Sequence, residues 1–533
     1  MQIDPLPFDR TGYFTELICD YLAEKQDLQS LYHRYPRLDH FEGQIAEKAA
    51  RFPDAHRDIL YQSLQNQYEG VTMPPETESH LKKLKEPITF TVTTGHQLNL
   101  FTGPLYFLYK IISTINLTKD LKKAYPKYNF VPIYWMATED HDFEEINHFN
   151  FRGKKLQWNK DASGAVGPFD TEGLEEVHEA FANALGSSEN AEKLKELFRD
   201  AYLEHDTLTD ATRYLANELF GEYGLVVLDG DDVGLKKLLV PYAQKDIFDN
   251  ISYEKVSGTV SKIEEMSDNY GIQVNPREIN YFYLKAGLRE RIIEQDGTYF
   301  IDNTELRFSE DELLAELKER PGRFSPNVIA RPLYQEVVLP NLCYIGGGGE
   351  IAYWLELKSM FEAMEVPFPV LLLRNSALVI SEKQSKKLQK LNLSVADLFL
   401  KQSSFINKKI REISNIDIDF SSQKRYLEEQ FEALYDLAEQ TDKSFLGAVK
   451  AQEVKQKKGL DNLEKRLLRA QKRKLEDEVR RMTEIQNALF PNQSLQERNL
   501  NFSELYLELG DDLIPMLMEA LEPLKLEFTI IQT

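Results

Sequence analysis

The ten residues from Glu139 to His148 read Glu-Asp-His-Asp-Phe-Glu-Glu-Ile-Asn-His and hold five carboxylates and two imidazoles. So many ionisable groups are expensive to bury without a cation or a cationic substrate to balance them. At the end of a strand, such carboxylates can recognise an ammonium group, hold Mg²⁺ near a nucleotide, or take a proton from an attacking amine. The plain alternative is a solvated helix start, where acidic residues complement the helix dipole. His141 and His148 are seven apart, two helical turns, so a transition-metal site is conceivable but lacks the tighter spacing of zinc sites.

A second candidate is Thr93-Thr94-Gly95-His96-Gln97, followed by Thr102-Gly103-Pro104. It joins an apolar run to a helix-like pattern, and backbone N–H groups at such a helix start bind phosphate or carboxylate. His96 and Gln97 can add hydrogen bonds, and no Gly-Lys follows to make a Walker motif. The bland reading is a tight turn with Pro104 in the first helical turn. A third candidate is Gly346 to Gly349, again between strand and helix, where Glu350 would repel phosphate and could meet an amine instead. Arg331, Gln335 and Glu336 form a fourth, at a helix start. Arg331 offers a bidentate grip on a carboxylate, and an internal ion pair with Glu336 is the equal alternative.

The elements that position these groups follow from periodicity. Ile88–Thr93 and Phe130–Ala137 are short β-type runs around a helix-length segment, and each delivers polar residues at its carboxyl end. Gly224–Leu228 is a third buried strand, ending in Asp229-Gly230-Asp231-Asp232. Further strands are expected at Cys343–Ile345 and Phe368–Leu373. The pattern predicts an α/β fold with a Rossmann-like parallel sheet, whose ligand edge lies at the carboxyl ends of its strands. Helices are expected at Phe14–Tyr21, Phe41–Ala50, Glu175–Leu185, Ala191–Tyr202 and Asp210–Gly221. Runs at 281–284, 291–293 and 299–301, split by Gly287 and Gly297, predict a small antiparallel insertion.

After Ser381 the composition turns to Lys, Glu, Gln, Leu and Arg up to about Phe490. Leu427, Phe431, Leu434 and Ala438 keep a 3–4 spacing, as do Leu463, Leu467 and Ala470, and a displaced set runs from Leu475 to Leu489. An antiparallel helical hairpin turning near Gly459 is expected, with one longer bent helix as the alternative. The basic run Lys465 to Arg481 is interleaved with acids and reads as a solvated face. The domain reading is a core over 1–380 with insertions at about 152–222 and 235–330, a coiled coil over 381–491, and a segment over 492–533 that docks back on the core.

With 533 residues, two or three domains are expected, and 42% hydrophobic residues can fill a large interior. A net charge of −23 argues against a nucleic-acid partner. Cys19 and Cys343 are the only cysteines, which suits a reducing compartment. With no signal peptide and no membrane-span-length apolar stretch, a cytoplasmic protein with no membrane partner is expected.

Four blocks together resemble the cysteine-adding enzyme of bacillithiol biosynthesis, a cysteine ligase family. They are TTGHQLNLFTGPLYFLYK, VPIYWMATEDHDFEEINH, RPLYQEVVLPNLCYIGGGGEIAYW and LFPNQSLQERNLNF, in that order across most of the chain. The family usually has Gln where His96 stands, and Gly-Pro-Gly-Glu where Gly347 to Glu350 reads Gly-Gly-Gly-Glu. The resemblance implies a Rossmann-type core related to class I aminoacyl-tRNA synthetases, connecting-peptide insertions, and a coiled coil that serves a homodimer. If LFTGP occupies the place of the synthetases' HIGH motif, its imidazoles are absent here. Lys383 to Lys387 matches their KMSKS loop only faintly and is expected simply to open a helix.

The reaction implied joins the carboxyl of L-cysteine to the amine of glucosaminyl malate. ATP or ADP binding is expected for carboxyl activation, with Mg²⁺ as a companion and no resident metal. On this reading Asp140, His141, Asp142 and Glu145 are catalytic, with Asp142 or His141 taking the proton. Thr94, Gly95, His96, Gln97, Gly103, Trp135, Arg331, Gln335, Gly347, Glu350 and Tyr353 bind substrate, with Arg331 on a malyl carboxylate. Asn492, Gln496 and Arg498 bind nucleotide. Two other classes stay open at this point: a metal-dependent hydrolase of a sugar or amide bond, and a non-catalytic coiled-coil scaffold.

Overall fold

The computed structural model describes residues 1–533, which divide into two compact units. One spans Gln2–Leu378 with Gln496–Ile531; the other spans Val379–Leu495 with Met1 and Gln532–Thr533. No helix is long and apolar enough to cross a membrane.

The larger unit is built on five parallel strands: β1 (Thr89–His96), β2 (Asn129–Met136), β3 (Val226–Asp229), β4 (Asn341–Gly346) and β5 (Val370–Leu373). Their order is β5-β4-β1-β2-β3. Every residue of β1 is buried, which explains its unbroken β-type run: a parallel sheet covered on both faces needs no alternation. Phe90, Val92, Phe130, Leu342, Ile345, Val370 and Leu372 form the core with Leu117 and Leu121 of α1 (Tyr106–Ala124). Phe41 and Ile45 of the N-terminal helix His40–Arg51 complete it. From β1 the chain proceeds outward through β2 to β3, then returns to the other side of β1 to lay down β4 and β5. The order therefore reverses between β1 and β4, and that crevice is where an open sheet of this kind binds ligands.

Two excursions decorate the sheet. The first carries the helices Leu174–Leu185, Glu189–Tyr202 and Leu208–Phe220, each within two residues of its expected bounds. The second includes a five-stranded antiparallel sheet; its strands at Tyr281–Lys285, Leu288–Gln295 and Thr298–Ile301 match the expected runs. Arg307–Ser309 and Phe324–Pro326 extend it and are too short to show a period of their own.

The smaller unit is helical. Its long hairpin pairs α4 (Ser421–Glu439) with α5 (Lys443–Lys474), and α6 (Glu476–Leu489) follows. The turn lies at residues 440–442, not near Gly459, which sits inside α5. The signal was Asp442, whose carboxylate caps α5 by accepting from the Ser444 and Phe445 N–H groups. Phe431, Ala438 and Val449 pack between the two helices. Tyr435 bonds Glu453, Lys457 pairs with Glu428, and Lys424 pairs with Asp461, which fixes the antiparallel register. Leu434 and Leu463, expected in the seam, are exposed. Ser381 caps the helix Glu382–Lys390, so Lys383 to Lys387 opens a helix as expected.

Candidate active site

The carboxyl ends of β1 and β4 border a cleft of about 440 Å³. Gly95, His96, Gln97, Trp135, Arg331, Gly347, Glu350 and Tyr353 line it, together with Arg498. Thr94, Gly103 and Gln335 are not among its walls. Thr94 donates from Oγ1 to the Ile345 carbonyl at 2.7 Å and so ties β1 to β4. Gln335 is buried, accepting from Arg331 at 3.2 Å and donating to Glu336 at 3.2 Å. Of the expected nucleotide residues, Gln496 is buried in the larger unit, while Asn492 belongs to the helical unit.

Gly103 acts through shape. Phe101, Thr102 and Gly103 all have positive φ, and a Cβ on Gly103 would lie 2.6 Å from that of Asn99. The strained turn is clamped by Asn501, whose Nδ2 donates to the Phe101 and Gly103 carbonyls at 2.7 Å each. Leu105 N–H donates to the Leu500 carbonyl at 2.7 Å. Phe101 itself is buried among Phe149, Phe181, Phe198 and Phe502. The LFTGP and NLNF blocks are thus two halves of one structure beside the cleft.

The cleft also holds groups that sequence reasoning passed over: Lys110, Tyr344 and Arg374. Lys110 is the only charged residue from Leu98 to Thr118, and that isolation was its signal. Its ammonium lies 2.6 Å from Glu350 and donates to the Gly95 carbonyl at 2.7 Å. Glu350 further accepts from Tyr344 Oη at 2.7 Å and Gly347 N–H at 2.8 Å. Burial alone would raise its pKa; Lys110 and these donors outweigh that and hold it at about 2. An ammonium does meet Glu350, and it is the protein's own Lys110.

Arg331 does not pair with Glu336. Glu336 is buried against Lys48 at 2.9 Å and accepts from Asn341 at 2.6 Å. Arg331 instead donates to Tyr353 Oη at 3.0 Å and keeps its charge in the cleft. Arg374 is 3% exposed, pairs through Nη2 with Glu497 at 2.7 Å, and leaves Nε without a partner. A Cβ on Gly347 would lie 3.7 Å from that Nε, so the open donor borders the glycine loop at the start of α3 (Gly348–Leu355). His96 is buried against Tyr106 and Phe107, and desolvation, followed by the Lys110 charge, lowers its pKa to about 3. It is neutral at physiological pH.

The acidic corner adjoins the cleft through Gln97. Its Nε2 donates to Asp140 at 2.8 Å and to Glu145 at 3.0 Å. Glu139 is drawn away to Lys236 at 2.7 Å. The interval expected to hold two helical turns folds as one short helix, Phe143–Ile146, and His148 starts a strand. The spacing of His141 and His148 consequently has no helical meaning. Ligand atoms of Asp140, His141 and Asp142 do lie within 4.8 Å of one another. However, the Arg289 guanidinium sits 2.9 Å from His141 Nδ1 and opposes a further cation there. A guanidinium only donates, so Nδ1 is the acceptor, and a neutral His141 must carry its proton on Nε2.

Residues 1–375 match the family described as "Bacillithiol biosynthesis BshC, N-terminal Rossmann-like domain", and residues 377–533 match its "C-terminal coiled-coil domain". A protein of Flavobacterium johnsoniae named "Putative cysteine ligase BshC" is 57% identical over the whole of both chains. One of the same name from Christiangramia forsetii is 58% identical over 100% of this chain and 99% of its own. A crystal structure titled as a putative arginyl-tRNA synthetase from Campylobacter jejuni covers 83% of this chain and 97% of its own. Its identity is 11% and its TM-score 0.22, too slight a likeness to carry an argument.

Proposed function

The chain belongs to the BshC family of bacillithiol biosynthesis, and from that premise we propose that it joins L-cysteine to the amine of glucosaminyl malate to make bacillithiol. The observation that carries this reading is the junction at Gln97. It bonds the acidic corner directly while lining the cleft that holds Arg331, Arg374 and Arg498. Guanidinium groups suit carboxylates and phosphates, carboxylates suit an ammonium, and amide formation needs both kinds of partner side by side.

A carboxylate does not acylate an amine at neutral pH unless it is activated, and ATP is the cosubstrate proposed to supply that activation. The residues present fit a phosphate: the unpartnered Nε of Arg374 borders the glycine loop, whose N–H groups open α3. Arg498 would add a second guanidinium to the same group. Mg²⁺ fits the acidic corner poorly, because Asp140 is engaged by Gln97 and by the His141 N–H, and Arg289 lies alongside.

Arg331 would hold a malyl carboxylate, while Asp140 and Glu145, fixed by Gln97, would hold the acceptor amine. His141 has no free nitrogen to accept a proton while Arg289 donates to Nδ1. Asp142, exposed and acceptor-only when ionised, is therefore the base that takes the ammonium proton before nitrogen attacks. Dimerisation through the helical hairpin and a cytoplasmic location belong to the same proposal.

The test is purified enzyme with cysteine, glucosaminyl malate and ATP, with bacillithiol read by mass spectrometry. Asp142→Asn should abolish product without altering the unfolding transition. Undiminished product from that variant would remove Asp142 from the mechanism, and absence of product from wild-type enzyme would remove the assigned reaction.

A further inference from the structure

A buried relay runs from the N-terminal helix His40–Arg51 to the cleft and ends on Arg331. Lys48 and Glu336 are both buried and meet at 2.9 Å. Lys48 occupies Glu336 Oε2, while Oε1 accepts from Asn341 Nδ2 at 2.6 Å and from Gln335 Nε2 at 3.2 Å. An ionised carboxylate only accepts, so both amides must turn their NH₂ groups towards it. Their carbonyls then face the other way. Asn341 Oδ1 accepts from the Thr91 and Thr93 hydroxyls at 3.2 and 2.9 Å, and Gln335 Oε1 accepts from Arg331 Nη1 at 3.2 Å.

The direction of the Gln335 amide matters because a guanidinium only donates. Reversed, the amide would set its NH₂ against Arg331, and an attraction would become a repulsion. Its place between two charges matters as well. Arg331 and Glu336 share the helix Ala330–Val338, yet the neutral Gln335 links them, and Lys48 balances Glu336 from the far side. The bonds of Arg331 go to Gln335 and to the Tyr353 hydroxyl, neither of them a carboxylate. Its guanidinium is thus held in place with its charge still open to an anion in the cleft. A buried ion pair that only filled space would do no better than apolar side chains of similar volume. The geometry points to Lys48 and Glu336 as positioning residues for the Arg331 guanidinium, acting through the Gln335 amide. Their effect on catalysis rests on Arg331 holding the acceptor's carboxylate; the relay itself does not.

The test is the double variant Lys48→Met/Glu336→Gln, which removes both charges together and leaves neither uncompensated in the core. Position 336 then carries an amide that suits either orientation of Gln335. In initial-rate assays, KM for glucosaminyl malate should rise about tenfold, the worth of one hydrogen bond to a charged group. The kcat should stay near that of wild type, because only binding is weakened. Gln335→Met breaks the link without removing a charge, so it should raise KM to the same degree, and it serves if the double variant fails to fold. Added to the double variant, it should raise KM no further. A crystal structure of the double variant should show Arg331 Nη1 beyond hydrogen-bonding distance of Gln335 Oε1. Wild-type KM in these variants, where Arg331→Met raises it, would overturn the relay. Should Arg331→Met leave KM unchanged, or wild-type enzyme make no product, the role of Arg331 falls and the crystal structure decides the relay. Arg331 in its wild-type place would then overturn it, and a displaced Arg331 would uphold it.

Discussion

The ammonium of Lys110 lies 2.6 Å from the Glu350 carboxylate while donating to the Gly95 carbonyl, so one side chain of α1 ties the carboxyl end of β1 to the first turn of the helix after β4. Those two segments border the cleft, and their separation sets its width. Removing one partner of a buried pair leaves the other uncompensated and costs about 3–5 kcal/mol. Lys110→Met is therefore expected to lower the urea midpoint sharply. The double variant Lys110→Met/Glu350→Gln should recover much of that loss and little of the activity. Recovery of both would mean that the pair only fills space.

His96 gives the unfolding curve a definite acid limb. Its pKa is about 3 in the folded chain against an ordinary 6.5, so below pH 6.5 the unfolded state binds the extra proton. Stability therefore falls as pH drops from 6.5 towards 3, by roughly 2 kcal/mol at pH 5 for this group. Glu350 adds a second loss at lower pH, since its depressed pKa contributes stability that disappears between about 4.5 and 2. Chemical denaturation at pH 7.5 and pH 5 should show His96→Gln with a smaller pH dependence than wild type. Parallel curves would place the acid sensitivity elsewhere.

Arg331 reaches the cleft with one donor already on Tyr353 and another on Gln335, which holds its plane without neutralising its charge. Hydrogen bonds to charged groups are worth about 1.5–3 kcal/mol, so Arg331→Met should raise KM for the carboxylate-bearing acceptor roughly 10- to 100-fold. Tm should fall modestly, because the buried Gln335 Oε1 loses its donor. An unchanged KM, measured in initial-rate assays, would free the guanidinium from that role.

Asn501 tests the union of the LFTGP and NLNF blocks. Its two bonds to the Phe101 and Gly103 carbonyls hold three consecutive residues at positive φ. Asn501→Ala leaves both carbonyls unpaired in a buried place and should cost about 1–3 kcal/mol each, seen as a lower Tm. Activity should fall at temperatures where the variant is still folded.

The parallel strands and the glycine turns were legible because each is a local pattern: an apolar run, then a polar or glycine break. Gln97 and Glu350 stand at the ends of such runs, and Arg331 at a helix start. What they contact was not legible, because the partner lies far along the chain. Glu336 sits beside Arg331 in sequence yet pairs with Lys48, and Glu350 looked open until Lys110 filled it.

Gly459 is where the helical unit departs from the expected hairpin. Glycine in a heptad-like stretch suggested a turn, but a helix interior tolerates it at a cost of only about 1 kcal/mol relative to alanine. That cost is small beside the cap at Asp442 and the ion pairs that set the register. A Cβ at Gly459 would meet nothing within 4 Å, and the same holds at Gly447 in the same helix. Gly459→Ala should accordingly stabilise α5, with helical ellipticity retained at higher temperature and the double variant Gly447→Ala/Gly459→Ala more stable still. A chain that turned at Gly459 would lose stability on the same substitution, so the sign of the change in thermal melts distinguishes the two hairpins.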